Sequence, residues 1–263
     1  RRHTRYGTVT GVQTCALPIY TNNKFDVFVF DRQTSTTQRV SVASDGTEGN
    51  ASSTSPSISG NGRFVAYASD ASNLVNGDTN GVTDIFVFDR NTLQTQRVSV
   101  TSNFGQTDGP STAPSISDDG NVVAFRTTAT NVVSDDTNNK ADIVIYNRQN
   151  DTVRRVSVSS DGTQANGDSN NARVSADHRY VYFDSIASNL IADDTNNLTD
   201  VFVYDLLTSQ TSRVNVTSTG GEAGLGSTSP VVSADGTYVA FLSAFDGYVP
   251  DNNYGLTRLY LIN

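Results

Sequence analysis

Asp84-Ile-Phe-Val-Phe-Asp-Arg90 decides the fold, because the chain keeps writing it. It occurs as Asp26–Arg32, as Asp142-Ile-Val-Ile-Tyr-Asn-Arg148, as Asp200–Leu206, and in decayed form from Arg258 onward, each copy starting 58 residues after the last. A fixed period of this size signals one supersecondary unit stacked side by side. Units that bury their faces against each other form one body, so the 263 residues read as a single array rather than as two domains.

Working outward from that stretch, one period contains four strand-like runs. Ser55–Ser59 is a short first strand, and Asn61-Gly62 a two-residue turn that favours positive φ. Arg63–Ser69 is the second strand, a polar loop over 70–83 follows, and Asp84–Asp89 is the third. A turn around Arg90–Gln94 leads to a fourth over Thr95–Val100. The same four recur at 113–158 and 171–216, whereas 26–42 supplies only the last two and 229–262 only the first three. The third strand is apolar on both alternating faces and requires cover on both sides. The fourth alternates, Val98 and Val100 against Arg97 and Ser99, as expected of an outer strand facing water.

Four-stranded antiparallel meanders repeated around an axis make a β-propeller. A linear solenoid uses shorter coils and parallel strands, which tight Asn-Gly and Asp-Gly hairpins oppose. The expected architecture is therefore all-β: a propeller of four-stranded blades in an incomplete ring, four periods plus a stub.

Composition agrees. Glu48 and Glu222 are the sole glutamates among 27 acidic residues, and Lys24 and Lys140 the sole lysines. Asp, Asn, Ser, Thr and Gly in their place form a turn-and-strand vocabulary poor in helix formers. No apolar run approaches the ~20 residues of a membrane-spanning helix, so membrane insertion is not expected. A net charge of −9 disfavours nucleic acid, which calls for clustered Lys and Arg.

Residues 1–19 stand outside the pattern. Val9–Ile19 resembles the conceptual translation of a sequencing-library adapter, and Tyr20 replaces the aspartate found at 78, 136 and 194. The segment is read as non-native and unstructured, with the propeller domain over 20–263. His3 and Cys15, the single cysteine, are set aside with it, and the natural chain is expected to begin further upstream.

The recurring Ser-Pro-Ser-Ile-Ser-x-x-Gly-x-x-Val-Ala-Phe/Tyr, followed by Asp-Ile/Val-Phe-Val-Phe/Tyr-Asp, stands at Pro56–Tyr67, Pro114–Phe125, Ala172–Phe183 (degraded) and Pro230–Phe241. It resembles the WD-like repeat of bacterial TolB-like β-propellers across essentially all of 21–263. The resemblance implies a propeller, commonly of six or seven blades, and an extracytoplasmic location, periplasmic or secreted. It implies little about function, because such propellers serve as binding platforms, as assembly components and as accessory domains of hydrolases.

Strand parity sorts the connections. In an antiparallel meander the short turns fall on one rim, and the long loops (70–83, 128–141, 186–199; 43–54, 101–112, 159–170, 217–228) on the other. Long loops gathered by a rigid scaffold are the default place to look for binding. Asp70, Asp78, Asp108, Asp135, Asp136, Asp161, Asp168, Asp193, Asp194 and Asp251 lie in these loops, with Asp26, Asp84, Asp142 and Asp200 at the strand mouths. Arg32, Arg63, Arg90, Arg148 and Arg179 lie at the short-turn rim. An acidic loop face opposite a mildly basic rim is expected, admitting cations, sugars or basic protein segments.

Four features are weighed for chemistry. Asp78/Asn80/Asp84 recurs as Asp136/Asn138/Asp142 and Asp194/Asn196/Asp200, placing oxygens at loop positions 1, 3 and 7, as Ca²⁺ sites do. The position-5 acid and the distal glutamate of an EF-hand are missing, and Asx-turns explain the same residues. Arg39, Arg97, Arg155 and Arg213 open the fourth strands, where cross-strand pairs with Asp31, Asp89, Asn147 and Asp205 are expected. Asn61, Asp119, Asp177 and Asp235 form Ser-x-Asp-Gly-type turns without enzymatic implication. His178 replaces the glycine of its turn and reads as a drifted turn residue.

The leading expectation is a non-catalytic scaffold binding protein or glycan through its acidic loop face. A calcium-stabilised repeat array and a carboxylate-based glycan hydrolase or lyase are the alternatives.

Overall fold

The computed structural model describes residues 22–234, 236–245 and 247–248, and the backbone of 258–262. Residues 1–19, Tyr20, Asp235 and Asp251 lie outside the described residues, and with them the readings placed on them. Every regular element described is a β-strand.

The strands form a partial sheet, three complete blades and a three-stranded sheet. The first comprises β1 (Phe28–Asp31) and β2 (Thr36–Arg39). Blade 1 is β3 (Ser53–Ile58), β4 (Phe64–Ser69), β5 (Asp84–Asp89) and β6 (Gln94–Arg97). Blade 2 is β7 (Ser111–Ile116), β8 (Val122–Thr127), β9 (Asp142–Asn147) and β10 (Thr152–Arg155). Blade 3 is β11 (Ser169–Val174), β12 (Tyr180–Ser185), β13 (Asp200–Asp205) and β14 (Gln210–Arg213). The last sheet is β15 (Ser227–Val232), β16 (Val239–Ser243) and β17 (Arg258–Ile262). Each is an antiparallel meander in chain order, as the tight turns require.

The third strand of each complete blade is buried, with partial exposure only at Asn147 in β9 and at Val203 and Asp205 in β13. Every residue of β5 is buried, with Ile85, Phe86 and Val87 at 0–1 % exposure. Its two apolar faces meet different neighbours. Phe86 and Phe88 pack with Tyr67, Leu74 and Val27 toward the preceding sheet, while Ile85 and Val87 pack with Val123, Phe125 and Val144 of blade 2. The cores thus lie between blades, and face-to-face stacking supplies the two-sided cover that the sequence demands. First strands lie against one another, β3 with β7, β7 with β11 and β11 with β15. The described strands do not close a ring, since β2 pairs with β1 and no extensive packing joins β15–β17 to the first sheet.

Two strand assignments change. The first strand begins earlier than Ser55 and carries an irregularity in each blade, between Thr54 and Ser57 in β3 and between Thr112 and Ser115 in β7. There Ser55, Ala113, Asn171 and Ser229 adopt φ of 51–57°. The fourth strand ends at its arginine instead of starting with it. Val98 and Ser99 are fully buried, and Val100 nearly so, because the chain turns inward after Arg97 to bond Ile85 O. Those residues wall the blade interface and do not face water.

Hydrogen bonds knit the two ends separately. At one end the long loops join: Asp108 Oδ1 accepts from Thr130 N (2.7 Å), and Asn50 Nδ2 donates to Ser72 Oγ (2.9 Å). At the other, Arg63 pairs with Asp89 through Nε (2.9 Å) and Nη2 (2.8 Å), and Arg148 Nη1 donates to Gly120 O (2.8 Å). Antiparallel pairing places the long connections together at the mouth of the third strands.

Candidate functional site

The mouths of the third strands β1, β5, β9 and β13 each hold a buried ionic cluster around an aspartate. Asp84 opens β5 with its side chain inside the blade, at 0 % exposure. Ser99 holds it there: its hydroxyl donates to Asp84 Oδ1 (2.5 Å) and accepts from Ile85 N (2.9 Å). Ser157 does this for Asp142 and Ser41 for Asp26, while Asn215 takes the place at Asp200, donating through Nδ2 (2.5 Å). A hydroxyl or amide 15 residues downstream therefore satisfies one carboxylate oxygen of each.

The arginine ending the fourth strand neutralises the other oxygen. Arg97 Nη1 lies 3.2 Å from Asp78 and 3.6 Å from Asp84. Arg155 Nη1 lies 3.5 Å from Asp136 and 3.6 Å from Asp142, and its Nη2 3.2 Å from the exposed Asp135. Arg39 stands 3.7 Å from Asp26 and 2.6 Å from Glu48. The expected partners Asp31, Asp89, Asn147 and Asp205 are wrong. Register puts Arg97 opposite Phe86, two residues from Asp84 and at the far end of the strand from Asp89. The aspartates at that far end bond the second-strand arginines instead, Arg63 to Asp89 and Arg179 to Asp205, both at 2.8 Å.

Each Asp/Asn/Asp set is brought together in part. In blades 1 and 2 the two aspartates converge on the guanidinium, whereas the asparagine oxygen turns to its own loop. Asn80 Oδ1 accepts from Val82 N (3.4 Å), while its Nδ2 donates to Thr107 O and to Asp84 Oδ2, both at 3.1 Å. Asn138 Oδ1 accepts from Lys140 N (2.8 Å) and its Nδ2 donates to Ala165 O (2.9 Å). Asn196 does the same with Leu198 N (2.7 Å) and Ala223 O (3.0 Å). This is Asx-turn geometry that also ties two long loops to each other. The structure brings together the aspartates of each set read from loop positions 1, 3 and 7, while each asparagine oxygen bonds the backbone N–H two residues ahead and Asn80 turns its amide N–H toward Asp84.

Sequence reading missed a fourth member, the position occupied by Glu48, Gln106, Gln164 and Glu222 at the 58-residue period. In blade 1, Gln106 Oε1 accepts from Thr79 N (2.8 Å), Asn80 N (3.0 Å) and Arg97 Nη1 (3.3 Å), and its Nε2 donates to Thr79 Oγ1 (2.8 Å). Glu222 takes the equivalent bonds in blade 3, from Thr195 N (2.8 Å), Thr195 Oγ1 (2.7 Å) and Arg213 Nη1 (2.9 Å). The available signal was that both glutamates of the chain fall in one repeat column.

That exchange changes the electrostatics. Arg213 Nη1 bonds Glu222 and lies 3.4 Å from Asp200, and among the described residues no cation lies within ion-pair distance of Asp194. Asp194 is 7 % exposed, and both its oxygens are buried without a hydrogen-bond partner. Asp194, Asp200 and Glu222 present carboxylate oxygens within 4.8 Å of one another. Burial first, then the Asp200 charge, pushes the Asp194 carboxyl up to about 6. Burial would raise Glu222 as well, but the bonds from Thr195 and the Arg213 charge prevail and hold it down to about 2. Desolvation likewise raises Asp142 to about 6, and raises Asp78, Asp136 and Asp200.

The loop face is less acidic than its aspartate count suggests, because Asp78 and Asp194 are buried, and Asp136 is half-buried, inside these clusters. Its exposed charge comes from Asp45, Asp70, Asp108, Asp135, Asp161, Asp168 and Asp193. His178 sits on the opposite rim at φ 53°, its Nδ1 3.0 Å from Asp119 Oδ2 of the neighbouring blade. A cleft of about 410 Å³ opens beside blades 2 and 3, lined by Arg154, Tyr204, Ser209 and Asp161 among others.

No family model and no curated protein matches the chain in sequence. Solved structures do match in fold. TolB from Acinetobacter baumannii superposes with a TM-score of 0.51 at 19% identity, over 90% of this chain and 45% of that one. A putative TolB from Agrobacterium tumefaciens (TM-score 0.47, 14% identity, 91% and 83%) and the β-propeller domain of the Trilobed protease from Pyrococcus furiosus (0.46, 11%, 80% and 54%) are similar too. The fold is that of a TolB-like β-propeller, and the chain spans about 45% of the length of the Acinetobacter TolB.

Proposed function

We propose that this propeller is a non-catalytic scaffold that binds protein or glycan through its long-loop face. The supporting observation is how the charged groups are spent. Asp26, Asp84, Asp142 and Asp200 and their arginines are consumed in buried clusters that brace the loops, one per period. What remains at the loop tips is a distributed set of exposed carboxylates, Asp70, Asp108, Asp135, Asp168 and Asp193, spread over successive blades. A repeated, dispersed set suits contact with an extended, basic or hydroxyl-rich ligand, whereas catalysis concentrates unlike groups at one point. The same reading puts the protein outside the cytoplasm.

The test is a glycan array and a panel of basic peptides, probed with the natural chain and two variants. Replacing the five loop-tip aspartates by asparagine should abolish any binding found. Replacing Arg32, Arg63 and Arg179 on the opposite rim should leave it intact. Equal effects from the two faces, or no ligand in either panel, would reject this assignment.

A carboxylate-based hydrolase or lyase is the competing reading. The pair it would draw on is Asp194 and Glu222, one oxygen of each lying within 4.8 Å of the other. Turnover of any acidic or neutral polysaccharide that is lost in Asp194→Asn would favour it over the scaffold.

A further inference from the structure

We propose that blade 3 binds one hard divalent cation, such as Ca²⁺, through Asp194, Asp200 and Glu222. The argument rests on an internal comparison that the repeat provides. Blades 1 and 2 balance two buried carboxylates against one guanidinium, with a neutral glutamine as the fourth group. In blade 3 the glutamine is Glu222, so three carboxylates face the same single arginine.

The arginine cannot serve all three. Its Nη1 is held by Glu222 at 2.9 Å and Asp200 at 3.4 Å, and its Nη2 lies 3.6 Å from the exposed Asp193. Asp194 is left buried with both oxygens unbonded, an arrangement that a charge of opposite sign would relieve. The three donor oxygens lie no more than 4.8 Å apart, about twice the ~2.4 Å Ca²⁺–oxygen distance, so one ion can touch all of them after small adjustments. An all-carboxylate set selects a hard cation over a soft one. The Glu222 side chain is 19% exposed, which leaves a path from solvent and room for water to complete the shell.

The inference differs from a calcium ion in every loop. In blades 1 and 2 the guanidinium already bridges both aspartates and the fourth group is a neutral glutamine. The cation would be peculiar to blade 3: Glu48 fills the same column beside Asp26 and Arg39, but the sequence there has Tyr20 at the position of Asp194.

Calorimetric titration of the chelator-treated chain with Ca²⁺, alongside a melting curve with and without the ion, tests this. One ion per chain and a rise in Tm are expected. Glu222→Gln should abolish binding without unfolding the protein, since Gln106 and Gln164 occupy the equivalent places in intact blades. Asp194→Asn should abolish binding too, with an ion-free Tm equal to or above that of the natural chain, because it removes a buried unbonded charge. Absence of binding at about 10 mM Ca²⁺, well above the ~10⁻³ M reach of weak extracellular sites, would overturn the proposal. So would unchanged binding in either variant, or two or more ions per chain. A Tm that responds to acid but not to Ca²⁺ would also overturn it, and would assign the site to a proton shared by Asp194 and Glu222.

Discussion

Arg97 Nη1 stands 3.2 Å from Asp78 Oδ1, and this contact joins the end of one blade's outer strand to the loop that feeds its third strand. The same guanidinium reaches Asp84 at 3.6 Å, so one side chain holds the loop, the strand mouth and the outer edge together.

Arg97→Met should therefore be among the most damaging single changes in blade 1. It leaves Asp78 and Asp84 buried without a counter-ion, a loss on the order of 3–5 kcal/mol. Urea denaturation of the variant measures it. A combined change to Met at 97 with Asn at both 78 and 84 should recover much of the loss, because the uncompensated charge goes with the carboxylates.

Ser99→Ala removes a buried hydroxyl that donates to Asp84 and accepts from Ile85 N. Two buried groups lose their partner, and a cost of about 2–3 kcal/mol is expected. Ser99→Asn should cost less than the alanine change, since Asn215 performs the same two bonds at Asp200 (Nδ2 to Oδ1, and Oδ1 from Val201 N). If the asparagine variant proves the weaker of the two in thermal unfolding, the equivalence of these positions is wrong.

Gly109 and Gly167 mark where the loops of one blade press on backbone. A Cβ at Gly109 would sit 2.8 Å from Ala129 N, and at Gly167 2.9 Å from Ala187 N. Because backbone cannot swing aside, Gly109→Ala and Gly167→Ala should each destabilise by about 1–3 kcal/mol. Gly46→Ala, where no atom lies within 4 Å, tests strain alone and should cost less despite a φ of 86°.

Acid should weaken the short-turn rim. The hydrogen bonds from Arg63 hold Asp89 down to about 2, below the ~3.9 of an unfolded aspartate. A depressed carboxyl contributes stability above its unfolded pKa and loses it as pH falls through its folded one, here between about 4 and 2. The Arg63 side chain is 40% exposed, so the discounted contribution is about 1 kcal/mol or less. Arg63→Ala should flatten that part of the pH–stability curve and leave the neutral-pH plateau lowered by a similar amount. An unchanged acid slope would show that Asp89 is not held by this pair.

Much of the fold was legible because it is periodic. The 58-residue recurrence of Asp84–Arg90, its two apolar faces and the Asn-Gly turns specify antiparallel blades stacked on both sides, and all of this stands in the structure. The site was legible only as a set of aspartates. The repeat points to Asp78 and Asp84, but reading Arg97 as the start of a strand sets it beside Asp89, whereas register places it opposite Phe86 at the other end. Asn80 was grouped with them by its spacing, yet spacing does not show which way an amide points, and its oxygen faces Val82 N. Gln106 and Glu222 passed unremarked as site members, being polar residues in polar loops with no local pattern to single them out.

The repeat by itself determined what must be buried and which connections share an end, since side-chain alternation and strand direction are properties of the local chain. Which charges meet was decided only in three dimensions. Arg213, Glu222 and Asp194 lie 9 to 28 residues apart, and their distances follow from how two loops fold over one strand mouth. The lone carboxylate of Asp194 exists because a guanidinium has a fixed reach and was claimed first by Glu222 and Asp200.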